Sequence, residues 1–373
     1  MKAIVRHGKT DDNIQKALDD ACSGIKETKG LIVLSFTDLD KISYILMEKY
    51  PNAKIIGGGG RFIHRSEIYE EDFLLIFLLD DCDIECGLIR NISTSPADGL
   101  MDITKSATEI SPGNNNTVCL EFSTGNEEIL LSIFRTAFGL NKIFPLDAIK
   151  LAGGTIYVDV DDHYNDIVMY NGKTYKDSCV YMMIKNKTGK ICIYQEHDYV
   201  RADDKTYIAS KASFATRIIK EINNQLPANL YKKYMDDHGH TEFNAEFACQ
   251  YPLGRIVGNE IFPVAQVRLE QDGTLLNHTL VGEGDKICFL RLADNYSEIN
   301  DDTQQKIQMD IPNPSLILKF ECAYRILSFR TRNYIGNYLG KTYDKNNVIG
   351  YVCGGEQLGN KHMNMTCLSI VFE

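Results

Sequence analysis

The sequence predicts an α+β fold: repeated strand–helix–strand–Gly-Gly–strand units forming mixed β-sheets covered by helices, in two domains. Three observations carry that expectation. An apolar strand runs into adjacent glycines at Ile55-Ile56-Gly57-Gly58-Gly59-Gly60-Arg61, at Ile149-Lys150-Leu151-Ala152-Gly153-Gly154-Thr155 and at Val348-Ile349-Gly350-Tyr351-Val352-Cys353-Gly354-Gly355-Glu356. An apolar strand and a helical segment precede each run: 31–36 with 39–50, 117–122 with 127–140, and 316–322 with 324–339. One more strand follows each, at 73–79, 178–184 and 365–372. A single glycine pair at a strand end is ordinarily a turn, but the same surroundings three times over argue for a structural repeat. Glycine removes the side chain, so the backbone there can approach another group closely.

Taken in order, Ile14, Leu18, Ala21 and Ile25 recur at helical spacing within 11–27, with Thr10 or Asp11 as the cap. The strand at 31–36 is apolar throughout, the pattern of a strand buried on both faces. With the next helix and the strand at 54–56 it forms a crossover, right-handed and parallel by preference. The run 73–79, the turn Asp80-Asp81-Cys82-Asp83 and the return at 84–89 read as a hairpin. A helix at 97–110 and the loop Ser111-Pro112-Gly113-Asn114-Asn115-Asn116 lead into the second unit. Asn171-Gly172 centres a tight hairpin within 164–175, and Lys187-Thr188-Gly189 joins 179–184 to 190–195 as another. Residues 209–235 read as a long helix interrupted near Pro227. The expected division is thus an N-terminal domain over 1–205 with two units, a helical linker over 206–245, and a C-terminal domain over 246–373 with the third. In the last, Gln271-Asp272-Gly273 signals a hairpin, and 300–309 a polar helix.

A chain of 373 residues can hold two or three domains with sizeable cores. Its 44% hydrophobic content is that of a globular protein and excludes disorder. A net charge of −11 excludes a non-specific hold on nucleic-acid phosphates. No window supplies the roughly 18 consecutive apolar residues of a membrane helix. Met1-Lys2-Ala3-Ile4-Val5-Arg6-His7 lacks the apolar core and cleavage site of a signal peptide, so the expected location is cytoplasmic. The 11 cysteines are scattered, odd in number and mostly within apolar strands, where cysteine behaves as a small hydrophobe. Cys82 and Cys86 lack the second Cys/His pair that a zinc site requires.

No phosphate-binding glycine motif opens a helix, and Gly-x-Ser-x-Gly does not occur. Asp159-Val160-Asp161-Asp162-His163 lacks the glycine and distal Glu of a calcium loop and reads as a solvated turn. His238-Gly239-His240 reads as a polar linker. His197 follows the strand 191–194 and would project from a sheet edge, where an imidazole can ligate haem iron or another metal. The competing reading is a surface or hydrogen-bonded histidine.

The densest polar constellation is C-terminal. Cys322 and Arg325 stand where the third unit's strand meets its helix, Glu356 follows Gly354-Gly355, and Asn364 and Thr366 open the last strand. If the strand ends share one rim, these groups converge with Gly57, Gly58, Gly59, Arg61, Gly153, Gly154 and Thr155 around a common hollow. Arg325 and Glu356 would then hold the carboxylate and amine of a zwitterion, or else pair with each other. An enzyme using Cys322 or Glu356 as nucleophile or base is the alternative from another class. A protein-interaction scaffold built on the sheet edges is a further one.

These residues resemble the FIST family of paired N- and C-terminal sensory domains, over nearly the whole chain. Lys54-Ile55-Ile56-Gly57-Gly58-Gly59-Gly60 stands where the family has its strand-end glycine motif. Leu151-Ala152-Gly153-Gly154, the Asn171-Gly172 hairpin and Ser210-Lys211-Ala212 are similar to its later landmarks. Tyr251-Pro252-Leu253-Gly254, Val267-Arg268 and Val281-Gly282-Glu283-Gly284-Asp285 resemble the opening of its C-terminal domain. Cys322-Ala323-Tyr324-Arg325, Gly354-Gly355-Glu356-Gln357 and His362-Met363-Asn364-Met365-Thr366 resemble its close.

The resemblance implies an intracellular sensory module of a signal transduction system. Its ligand would be an amino acid or similar metabolite, and its output a protein or domain not in this chain. Catalysis is not part of that picture. Some relatives are regarded as haem-bound nitric oxide sensors, and His197 is the histidine that would align with their ligand. The sequence departs from the pattern at Gly58-Gly59-Gly60, where many members carry Cys or Ser-Thr. No kinase, cyclase or chemotaxis output occurs within the 373 residues.

Overall fold

The computed structural model describes residues 1–10, 13–36, 38–140, 144–157 and 166–373. The fold is α+β, and among these residues the strands form sheets of six, eleven and eight. Three segments share one pairing pattern. The first orders its strands Ala3–Gly8, Phe73–Leu78, Gly30–Ser35, Lys54–Gly59. The second orders them Cys82–Arg90, Ser178–Asn186, Thr117–Ser123, Lys150–Ile156. The third reads Ile191–His197, Thr366–Phe372, Leu316–Cys322, Val348–Leu358. In each, the third strand named runs parallel to the glycine-bearing strand and antiparallel to the segment's last. Parallel neighbours need a crossover. Helix Leu39–Lys49 supplies the first and Glu127–Leu140 the second. The third uses Ala323–Thr331 and Ile335–Thr342, broken at Asn333, whose φ is 54°.

One face of every segment turns inward. Leu34 and Ile76 of the first, Leu120 and Met182 of the second, and Leu318 and Ile370 of the third belong to a single shared core. The opposite faces bury against each segment's own helices: Val33 with Ile42, Cys119 with Phe134, Ile317 with Phe329. Strands covered on both sides must be apolar along their whole length, which is why these runs do not alternate. Each such side chain contributes roughly 1.5–3 kcal/mol on burial. The glycine strands of the second and third segments lie side by side, antiparallel, and merge the two into the eleven-stranded sheet. That of the first pairs with Val168–Tyr170 instead.

Two expected hairpins are not hairpins. Phe73–Leu78 pairs with Ala3–Gly8 and Gly30–Ser35, whereas Cys82–Arg90 pairs with Ser178–Asn186 in another sheet. Likewise Ser178–Asn186 is flanked by Cys82–Arg90 and Thr117–Ser123, and Ile191–His197 pairs with Thr366–Phe372. Both edges of each segment's last strand are already taken, so the short turn passes the chain to the next segment. The amino group of Met1 donates to Thr188 Oγ1 at 2.9 Å and to the Glu373 carbonyl, joining the first segment's start to the third's end.

The helix expected over 209–235, and with it the first half of the helical linker over 206–245, begins as strand. Tyr207–Ser213 and Ile218–Ile222 pair antiparallel, and helix begins only at Pro227–Asp237. Apolar residues such as Ala209, Ile219 and Ile222 suit either period over so short a run. Lys286–Leu292 and Leu275–Asn277 decide it by offering backbone partners. These strands belong to the eight-stranded sheet, drawn from the chain between Ile191–His197 and helix Tyr296–Asp310.

The first glycine run closes its strand as expected, whereas the second and third lie inside theirs. The first helix is Ile14–Ala21, capped by Asn13, whose Oδ1 accepts from the Lys16 N–H at 3.0 Å; Thr10 bonds the Glu71 carbonyl instead. Asp11 and the run 159–163 lie outside the described residues. Asn171 and Gly172, with φ of 41° and 87°, make the two-residue turn their sequence calls for. Among the described residues no helix is long and apolar enough to cross a membrane.

Candidate functional site

The glycines are packing positions. A Cβ on Gly58 would sit 2.9 Å from both Phe122 and Ile156, and one on Gly154 would sit 2.7 Å from Phe320 and 2.9 Å from Cys353. One on Gly57 would meet the Val33 carbonyl at 2.3 Å, and one on Gly153 that of Glu121 at 2.2 Å. The Gly59 carbonyl accepts from the Tyr351 hydroxyl at 2.8 Å, and that of Gly354 from Asn364 Nδ2 at 2.8 Å. Gly355 is covered by His362 and Asn364. At Gly58 and Gly154 side chains of a neighbouring segment thus occupy the space that the missing Cβ leaves, and at Gly57 and Gly153 the adjacent strand's backbone does.

A cavity does open beyond the glycines. It measures about 310 Å³ and is lined by Arg61, Tyr157, Tyr324, Leu327, Arg330 and Val352, among others. Arg61 comes two residues after strand Lys54–Gly59, and Tyr157 directly follows strand Lys150–Ile156. Val352 lies in the third glycine strand. Helix Ala245–Gln250, which packs against the eight-stranded sheet, closes one side through Ala245. Arg61 donates from Nε to Glu70 at 2.7 Å, and the Tyr324 hydroxyl donates to the Gln266 carbonyl at 3.0 Å.

Two buried polar groups lie outside the lining of this cavity. In the first, Arg325 donates to Asp198 at 2.6 Å, Glu196 at 2.8 Å, Glu321 at 2.8 Å and the Tyr338 hydroxyl at 2.8 Å. Its five donors are spent there, and Glu356 is not among the partners. Glu356 instead accepts from Cys353 Sγ at 3.1 Å and from the Thr366 hydroxyl. Burial pushes its carboxyl up to about 8, against the pull of those two donors. Burial, and then Glu356, holds the Cys322 thiol well above its ordinary range, which disfavours the thiolate form a nucleophile uses.

The second group sits at the seam of the second and third segments. The Thr155 hydroxyl donates to Glu127 Oε1 at 2.9 Å and accepts from Gln357 Nε2 at 2.8 Å, while Arg217 donates to Glu127 Oε2 at 2.7 Å. Burial would raise the Glu127 carboxyl, but the charges of His362 and Arg217 outweigh it and hold it at about 2. Burial opposes protonation of His362, and Glu127 and Glu128 reverse that. Glu121 Oε1, Gln357 Oε1 and His362 Nε2 are buried and have no partner among the described residues.

His197 stands apart from all of this. It is exposed and lines a cavity of about 560 Å³ with Val200, Arg201, Phe262, Leu290 and Lys361.

Sequence reasoning singled out Arg61, Thr155, Arg325, Glu356, Asn364 and Thr366 but passed over the buried carboxylates Glu121, Glu127, Glu196, Asp198 and Glu321. One signal was available. Glu121, Lys319 and Glu321 are charged residues inside otherwise apolar strands, and a buried charge must be paired or neutralised.

Comparison with known proteins adds one match. The model of the family described as FIST N domain covers residues 30–225. No curated protein matches the chain.

Proposed function

The chain belongs to the FIST family, a family of sensory domains in signal transduction, and from that premise we propose a cytoplasmic sensory module whose ligand is an amino acid or similar small metabolite. The observation that carries this reading is the cavity of about 310 Å³ beyond the three glycine strands. That volume lies at the small end of the range ligand pockets occupy. Arg61 and Arg330 suit a carboxylate, Tyr157 and Tyr324 add hydroxyls, and Ile326 and Leu327 offer apolar surface.

Walls drawn from all three segments and from helix Ala245–Gln250 give a ligand purchase on each. Its binding would tighten their association, and the output protein or domain outside this chain would read that change. We place a FIST N-like domain at 1–205 and a FIST C-like domain at 246–373. The test is a thermal-shift screen of free amino acids and small carboxylates, because a ligand of the native state must raise the melting temperature. No shift with any amino acid would remove that ligand class.

A second reading rests on His197. Its cavity of about 560 Å³ joins an imidazole to an apolar wall of Ile261, Phe262 and Leu290. Arg201 and Lys361, the latter held by Glu260 at 2.7 Å, add cations for propionates, and this lining supports the haem reading. Added haem would give a Soret band that His197→Ala abolishes. A spectrum unchanged by that substitution excludes His197.

A further inference from the structure

We propose that Glu127, Glu128 and His362 form a binding site for one divalent transition-metal ion at the seam of the second and third segments. Their ligand atoms all lie within 4.8 Å of one another. His362 Nδ1 and Glu128 Oε1 are 3.3 Å apart. Two ligands on a tetrahedral ion with bonds of about 2.1 Å span about 3.4 Å, so this pair already has ligand spacing. The supports are rigid. Glu127 and Glu128 open helix Glu127–Leu140, and His362 lies on strand Lys361–Met363.

The His362 side chain is 3% exposed and that of Glu128 36%, so one side faces solvent and leaves room for water as a further ligand. Thr155 and Arg217 fix the orientation of Glu127, whose oxygens keep lone pairs for a metal. Once a metal takes the place of the ring's Nδ1 proton, the two carboxylates outnumber the one remaining side-chain cation, Arg217. Imidazole with carboxylates suits zinc, cobalt or manganese better than calcium.

An independent observation comes from behind the ring. His362 Nε2 and Gln357 Oε1 are both buried without a partner among the described residues, yet the two residues are directly paired across their hairpin. Nδ1 faces Glu128, so Nε2 is the ring nitrogen left over on the buried side. With a metal on Nδ1 the ring keeps its proton on Nε2, and Gln357 across the hairpin offers an oxygen for it. Metal-bound histidines are normally held by such an outer partner. The site shares no residue with the cavity at Arg61 and Arg330, so either proposal can fail alone.

The test is calorimetric titration of the metal-stripped full chain with Zn²⁺, paired with visible spectra of the Co²⁺ form. The expected result is one ion per chain with the absorption of four-coordinate cobalt bound by nitrogen and oxygen. Glu128→Gln should weaken binding at least about tenfold in a chain that still folds, and His362→Ala should abolish it. If His362→Ala fails to fold, Glu128→Gln decides, since Glu128 is partly exposed. No binding by the unaltered chain, equal binding by Glu128→Gln, or a cobalt–thiolate band marking the cysteines as the ligands would each overturn the proposal.

Discussion

Arg325 donates from Nε to Asp198 Oδ2 at 2.6 Å, with both side chains 1% exposed. The contact ties helix Ala323–Thr331 to the start of the eight-stranded sheet, because Tyr199–Arg201 follows Asp198 directly. Glu196 and Glu321 complete the shell around the guanidinium. Arg325→Met strands three buried carboxylates, which should cost about 3–5 kcal/mol in denaturant unfolding. Arg325→Lys should also destabilise, because an ammonium cannot reproduce the planar fork.

The glycines make opposite predictions according to what surrounds them. Gly154→Val forces Phe320 and Cys353 aside and should cost about 1–3 kcal/mol. Gly336 sits in helix Ile335–Thr342 with nothing within 4 Å of where its Cβ would be. Gly336→Ala should therefore stabilise by roughly 0.5–1 kcal/mol. Chemical denaturation of the two variants beside the unaltered chain checks both signs.

Glu356 makes stability depend on pH in a stated direction. Burial raises its carboxyl from 4.5 to about 8 in the folded chain. Between those values the folded state holds a proton that the unfolded state has released. Its contribution is complete below pH 4.5 and is lost as pH rises towards 8, with a limiting slope of about 1.4 kcal/mol per pH unit. Glu121, also pushed up to about 8 by burial, adds a slope of the same sign. Glu356→Gln should therefore flatten, without abolishing, the fall in melting temperature between pH 5 and 8. An unchanged profile would show that Glu356 is ionised in the core.

Much of this architecture was legible in the chain. Apolar strands without alternation announced sheets covered on both faces, and the thrice-repeated glycine runs announced segments with a common pairing pattern. What escaped was decided across long sequence distances. The turns at 80–83 and 187–189 look like hairpin turns because nothing local says that both edges of Phe73–Leu78 and Ser178–Asn186 are taken. Asp198 meets Arg325 from 127 residues away, so spacing could not pair them. At 207–222 short apolar runs fit two periods equally, and strands elsewhere chose between them.

Arg330 lines the small cavity from the exposed surface of its helix and should contribute to ligand capture more than to stability. Arg330→Gln should shift unfolding free energy by less than about 0.5 kcal/mol while weakening the binding of a carboxylate ligand. Unfolding curves and titrations on the same preparation separate the two effects.

The central claim is that the cavity beyond the three glycine strands holds a small carboxylate. Its most direct measurement is the melting of the full chain with and without each free amino acid, run beside Arg330→Gln. Stabilisation of about 2.7 kcal/mol is expected at a hundredfold excess over Kd, and a smaller gain in the variant at the same concentration. No stabilisation by any amino acid, or equal stabilisation of both chains, would contradict the claim.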